Sequence, residues 1–106
     1  MTVTSKQRAY LRSLAANIDT ILMVGKAGIG DDLMKQAADA LTKREIIKGK
    51  VLETAPVSPR EAAEQIAVGT ESLVVQVIGT KFVLYKKNEK EPKIVLPRAP
   101  KGAEQA

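Results

Sequence analysis

With 106 residues, 44% of them hydrophobic, the chain is sized for one compact domain with a real core. Cysteine and histidine are both absent, which removes disulfides, thiol nucleophiles, imidazole bases and most zinc sites. A net charge of +5 points to a polyanion as partner, while an aromatic content of 3% argues against a platform that stacks bases on aromatic rings.

The elements follow in chain order. Thr4-Ser5-Lys6-Gln7 has the form of a capping box, and Leu11, Leu14 and Ile18 then recur at helical spacing. The first helix is predicted from about residue 4 to about 16, with Lys6, Arg8 and Arg12 largely off its apolar stripe. Ile21-Leu22-Met23-Val24 is a short apolar strand whose unbroken apolarity predicts cover on both sheet faces. A glycine-rich loop, Gly25–Gly30, leads to a second helix from near Asp31 to near Lys43, with Leu33, Ala37 and Leu41 four apart.

Ile46 to Leu52 reads as a second strand. Alternation puts Ile47, Gly49 and Val51 on one face and Ile46, Lys48, Lys50 and Leu52 on the other. Glycine in mid-strand predicts a bulge or the close approach of a neighbouring helix. Ser58-Pro59-Arg60-Glu61 starts a third helix, with serine as cap, proline first and glutamate closing the box. Gly69 is its expected stop. Leu73–Ile78 and Phe82–Tyr85 form a hairpin about Gly79-Thr80, again apolar on both faces. Ile94-Val95-Leu96 reads as a short edge segment. Residues 1–98 form one domain, and 99–106 are expected to be a disordered tail. The order helix–strand–helix–strand–helix–strand–strand indicates an α/β layered fold, a small mixed four-stranded sheet with helices on both faces.

The chemistry concentrates where the first strand breaks. Gly25-Lys26-Ala27-Gly28 is a GxxG loop between a strand and a helix. Glycines let the backbone approach an anion, Lys26 adds charge, and free N–H groups at the helix start face it. Charge is blocked along the chain: residues 1–18, 40–52 and 79–101 are basic, and 19–39 and 53–78 are acidic. A fold that gathers the basic blocks makes a polyanion face; otherwise they are an ordinary solvated surface. Asp31 and Asp32 compete with phosphate for the helix dipole, so the loop amides and Lys26 should lead.

The loop lacks the spacing of a P-loop or of a dinucleotide fingerprint, and no cluster suggests a metal site or a nucleophile–base pair. No enzyme activity, metal or cofactor is expected, though a phosphate-metabolite enzyme and a basic adapter for an acidic protein are the competing classes. No apolar run approaches ~20 residues and no apolar leader is visible, so a cytoplasmic location without a membrane span is expected.

Six pieces in order carry a family resemblance. They are Ser-Lys-Gln-Arg-Ala-Tyr-Leu-Arg-Ser-Leu-Ala at 5–15, Val-Gly-Lys-Ala-Gly-Ile at 24–29 and Leu-Thr-Lys-Arg-Glu-Ile-Ile-Lys-Gly-Lys-Val at 41–51. Val-Gln-Val-Ile-Gly at 75–79, Val-Leu-Tyr-Lys at 83–86 and Lys-Ile-Val-Leu-Pro at 93–97 complete the set. Over roughly residues 4–98 the chain resembles a YhbY-type single CRM domain, the chloroplast RNA splicing and ribosome maturation module. The resemblance implies a mixed four-stranded sheet with three helices, similar to the C-terminal domain of translation initiation factor 3. It further implies RNA binding, with ribosomal RNA of large-subunit precursors as partner and ribosome assembly as role, by a monomer. Intron splicing is the alternative, as in multi-domain plant members.

By the same resemblance the contact residues are Gly25, Lys26, Ala27 and Gly28, with a basic patch of Arg44, Lys48, Lys50 and Lys86. Lys6, Arg8 and Arg12 are further candidates on the first helix. The chain departs from the family pattern at Gly30, where Thr or Ser is common and would cap the second helix. It departs also at Arg44, where His is common, and at Thr80, where Lys is common.

Overall fold

The structure, a computed structural model, describes residues 3–88 and Ile94. Local chemistry builds the helices. In α1 (Ser5–Ala15), the Thr4 hydroxyl accepts from the Gln7 amide at 3.1 Å, and Gln7 Oε1 accepts from the Thr4 amide at 3.0 Å. In α3 (Pro59–Thr70), Ser58 and Glu61 make the same reciprocal pair at 3.1 and 2.9 Å. Each box satisfies two amides that a helix start otherwise leaves open. The longest helix, α2 (Asp31–Arg44), begins with no side-chain cap at Gly30.

Four strands, β1 (Thr20–Val24), β2 (Ile46–Val51), β3 (Leu73–Ile78) and β4 (Lys81–Tyr85), form one sheet in the order β1-β2-β4-β3. β1 and β2 are parallel, joined through α2; β4 runs antiparallel to both β2 and β3 and lies between them. The β3–β4 turn is Gly79-Thr80, with Gly79 at φ +59° as a two-residue hairpin loop favours.

Helices cover both faces, as the sequence predicts. On one side α2 and α3 pack Ala37, Leu41, Ala63 and Ile66 over Leu22, Val24, Ile47, Phe82 and Leu84. On the other, α1 alone sets Leu11 and Ala15 against Ile46, Val75, Val83 and Tyr85. Each large side chain so buried contributes about 1.5–3 kcal/mol. Tyr85 is core.

Several expectations are corrected. The sheet is not covered on both faces throughout: Met23 in β1 is 60% exposed and Ile78 in β3 is 62% exposed. α1 is 11 residues long, about 16 Å, and packs over β2, β3 and β4. One such helix cannot span four strands, so the far end of its face stays open. Gly49 makes way for a ring on the adjacent strand, not for a helix. A Cβ there would lie 2.7 and 2.8 Å from Phe82 Cε1 and Cε2. Gly69 does not end α3; it lies inside the helix, where a Cβ would meet Met34 Sδ at 2.5 Å. The stop is Glu71, in the left-handed region at φ 58°. Gly69 is thus the close-packing point between α3 and α2. The expected edge segment and tail lie outside the described residues, Ile94 excepted.

Candidate functional site

β1 ends at Val24, and the chain turns within Gly25–Gly28, closed by the Gly28 amide donating to the Gly25 carbonyl at 2.9 Å. Lys26 and Ala27 stand exposed at the tip. Gly28 has φ +73°, and a Cβ there would press on Pro56 Cγ at 3.1 Å, so glycine is favoured on two counts. Gly25 is different: a Cβ would make ordinary contact with Leu52 Cδ1 at 3.6 Å.

Because Gly30 supplies no capping oxygen, the first-turn amides of α2 open onto the same groove as Lys26. The groove is about 690 Å³ and is bordered by Met23, the Gly25–Gly28 turn and the start of α2. Asp31 and Asp32 lie on its helix side, exposed. They suit the helix dipole and repel an incoming anion, which leaves the loop amides and Lys26 as the favourable contacts.

The lysines of β2 point to the α1 face, as alternation requires. Both are half-buried. Lys50 lies opposite Met23 of β1 and Lys81 of β4, and Lys81 lies opposite Ile78 of β3. Lys48 lies opposite Val83 and lines a cleft of about 200 Å³ between α1 and the sheet, together with Arg12 and Lys81. Among the described residues, no carboxylate pairs with Lys26, Lys48, Lys50, Lys81 or Arg12. Lys81 escapes a reading of the sequence. Its only signal is its place after the Gly79-Thr80 turn, and its pairing with Lys50 depends on β4 entering between β2 and β3.

The other candidates are dispersed. Arg44 closes α2 and Lys86 follows β4, both at the opposite end of β2 from the loop. Five residues of strand put them about 17 Å from Lys50. The Lys86 ammonium donates to the Thr70 carbonyl at 2.9 Å, holding the end of α3. Arg8 Nη1 donates to the carbonyls of Val74 and Val75 at 2.8 and 2.9 Å, where β3 is irregular. That guanidinium ties α1 to the sheet. Lys6 and Arg12 are exposed. The patch expected as one unit is therefore divided, with Lys26, Lys48, Lys50, Lys81 and Arg12 at the loop end.

Glu45 is a feature that the sequence reading passes over. It is fully buried at φ 64°, between α2 and β2. Its carboxylate accepts from the backbone amides of Asn88 and Ile94, each at 2.7 Å. Burial, and secondarily the Glu45 charge, raise the pKa of the neighbouring Tyr85 hydroxyl. Among the described residues no helix is long and apolar enough to cross a membrane, and no group of three or more His, Cys, Asp or Glu could hold a metal.

Comparison with known proteins is consistent over most of the chain. The model of the CRS1 / YhbY (CRM) domain matches residues 3–86. The chain is 41% identical over 95 residues to the Bacillus subtilis "Probable RNA-binding protein YqeI", covering 90% of this chain and 99% of that one. It is 33% identical over 97 residues to a Haemophilus influenzae protein named "RNA-binding protein", covering 92% and 97%. The solution structure of Staphylococcus aureus SAV1595 superposes with a TM-score of 0.75 at 44% identity, over 91% of this chain and 100% of that one.

Proposed function

The chain belongs to the CRS1 / YhbY (CRM) domain family, and from that premise we propose that it binds RNA through the loop end of its sheet and acts in assembly of the large ribosomal subunit. One observation carries the reading. The Gly25–Gly28 turn carries Lys26 at a groove bordered by Met23, whose register partner Lys50 stands with Lys48, Lys81 and Arg12 on the α1 face, none of them paired to a carboxylate among the described residues. A row of open cations and amides at a loop fits the spaced charges of a nucleic-acid backbone better than one small anion. Arg44 and Lys86 then serve only RNA that continues past this end, and Arg8 serves the fold.

The mechanism is positioning by charge. Loop amides and Lys26 hold one phosphate, and the sheet lysines hold its neighbours. Sequence preference is weak where contacts go to the backbone. Each lost phosphate contact on a single strand should flatten the slope of log K against log salt by about 0.7. Lys48→Ala plus Lys50→Ala is thus expected to reduce the slope by about 1.4; an unchanged slope would remove those residues from the interface.

The assembly role is tested by sedimentation of the protein in a cell lysate through a sucrose gradient at low and high salt. Co-migration with large-subunit or precursor particles, lost at high salt and lost on Gly25→Asp, is the expected result. Migration at the top of the gradient at low salt would refute it.

A further inference from the structure

Building on the RNA-binding reading, we infer that the contact surface extends along the α1-side row Met23–Lys50–Lys81–Ile78, with Met23 and Ile78 as base contacts, and that its occupant is an unpaired stretch of RNA. These four residues are register partners across all four strands, so their side chains share one face. With strands about 4.8 Å apart, the row spans about 14 Å. Two features of it are unfavourable for the protein alone. Lys50 and Lys81 are like charges directly opposite each other, which destabilises an antiparallel pair. Met23 and Ile78, at its two ends, leave 60% and 62% of their surface in water.

One ligand relieves both. Phosphates neutralise the two lysines, and the faces of nucleobases cover Met23 and Ile78. Only unstacked bases offer such faces; a duplex hides them and would meet the two apolar side chains with sugar and phosphate. The row is also continuous with the site already described. Met23 borders the loop groove, and Lys81 and Ile78 border the cleft that holds Arg12 and Lys48. No residue of the row or the cleft is acidic. A strand anchored at Lys26 can therefore cross the β1 edge and run along the row.

The test is fluorescence anisotropy with a labelled RNA dodecamer, alone and annealed to its complement, across a salt series. Met23→Ser and Ile78→Ser are each expected to weaken the single strand about five-fold, the effect of uncovering a few tens of Å² of apolar surface. Duplex affinity and the salt slope should not change. Lys81→Ala should instead flatten the single-strand slope by about 0.7. Equal loss on both RNAs, or no loss on either, would overturn the row as a base-contacting surface. Loss of both on Gly25→Asp would still leave the loop reading standing. If the native protein bound neither RNA, the RNA reading itself would fail and the row with it. A fall in sedimentation coefficient on Met23→Ser or Ile78→Ser would assign the row to a second copy of the chain and likewise overturn the proposal.

Discussion

Gly30→Ser separates the two elements of the loop groove proposed to meet an anion, the Gly25–Gly28 turn and the start of α2. Gly30 is the N-cap of α2, at φ −106° and ψ −175°, an extended conformation that serine adopts freely. No atom lies within 4 Å of where its Cβ would sit. The hydroxyl can then accept from the amide of Asp32 or Leu33. Two gains add. Restricting the unfolded chain at a former glycine contributes about 0.4–1 kcal/mol, and serine exceeds glycine as a cap by a few tenths. The sum is about 1 kcal/mol, or roughly 4–8 °C in Tm for a domain of this size. Thermal unfolding followed by circular dichroism reads it directly. RNA affinity should meanwhile stay within about two-fold, because loop amides and Lys26, not the helix start, are argued to hold the phosphate. An unchanged or lower Tm would refute the claim that the start of α2 lacks a cap. A loss of affinity beyond about five-fold, near 1 kcal/mol, would show that the helix amides were the main anion site.

Three other outcomes follow from the packing and the titrating groups. Gly49→Ala drives a methyl into the Phe82 ring, which is fully buried, and should cost about 1–3 kcal/mol as overpacking; a denaturant midpoint equal to that of the native chain would contradict it. Glu45→Ala removes the acceptor for the Asn88 and Ile94 amides, so hydrogen exchange at those two amides should accelerate about ten-fold or more, and unchanged rates would rule out the anchoring role. The Glu61 carboxyl is held below its usual range, first by the Ser58 backbone amide and then by the Ser58 hydroxyl. A lowered folded pKa gives stability that is present above the unfolded value, near 4.3, and is lost as pH falls through the folded one. The stability difference between native and Glu61→Gln protein should therefore close below about pH 4, and a constant difference through that range would be inconsistent with it.

What the sequence revealed was mostly what is local in the chain. Both capping boxes are written in four consecutive residues, and the Gly79-Thr80 hairpin in two. Strand β2 and its lysine face follow from alternation alone. The errors came from pairings between distant segments. Gly69 has the look of a helix stop, but its hydrogen serves Met34, 35 positions earlier in the chain. Continuous apolarity in β1 suggested cover that one short helix cannot supply, so Met23 is open. Arg8 reads as a wet-face cation until the irregularity in β3 presents two carbonyls to it. Lys81 joins Lys50 only because β4 is the inner strand. The Gly25–Gly28 turn was legible because its closing hydrogen bond joins residues three apart; the surface around it was not.

The order β1-β2-β4-β3 also dictates a schedule for synthesis. Among the described strands the inner one, β4, is the last to leave the ribosome, and until it arrives β2 has no neighbour on that side and β3 no partner. α1 is made before these strands, yet the surface that it covers comes from β2, β3 and β4, and its Arg8 clasp reaches 66 and 67 positions ahead. An isolated helix of 11 residues is marginal in water. α1 therefore waits, and its docking reports that β4 has emerged.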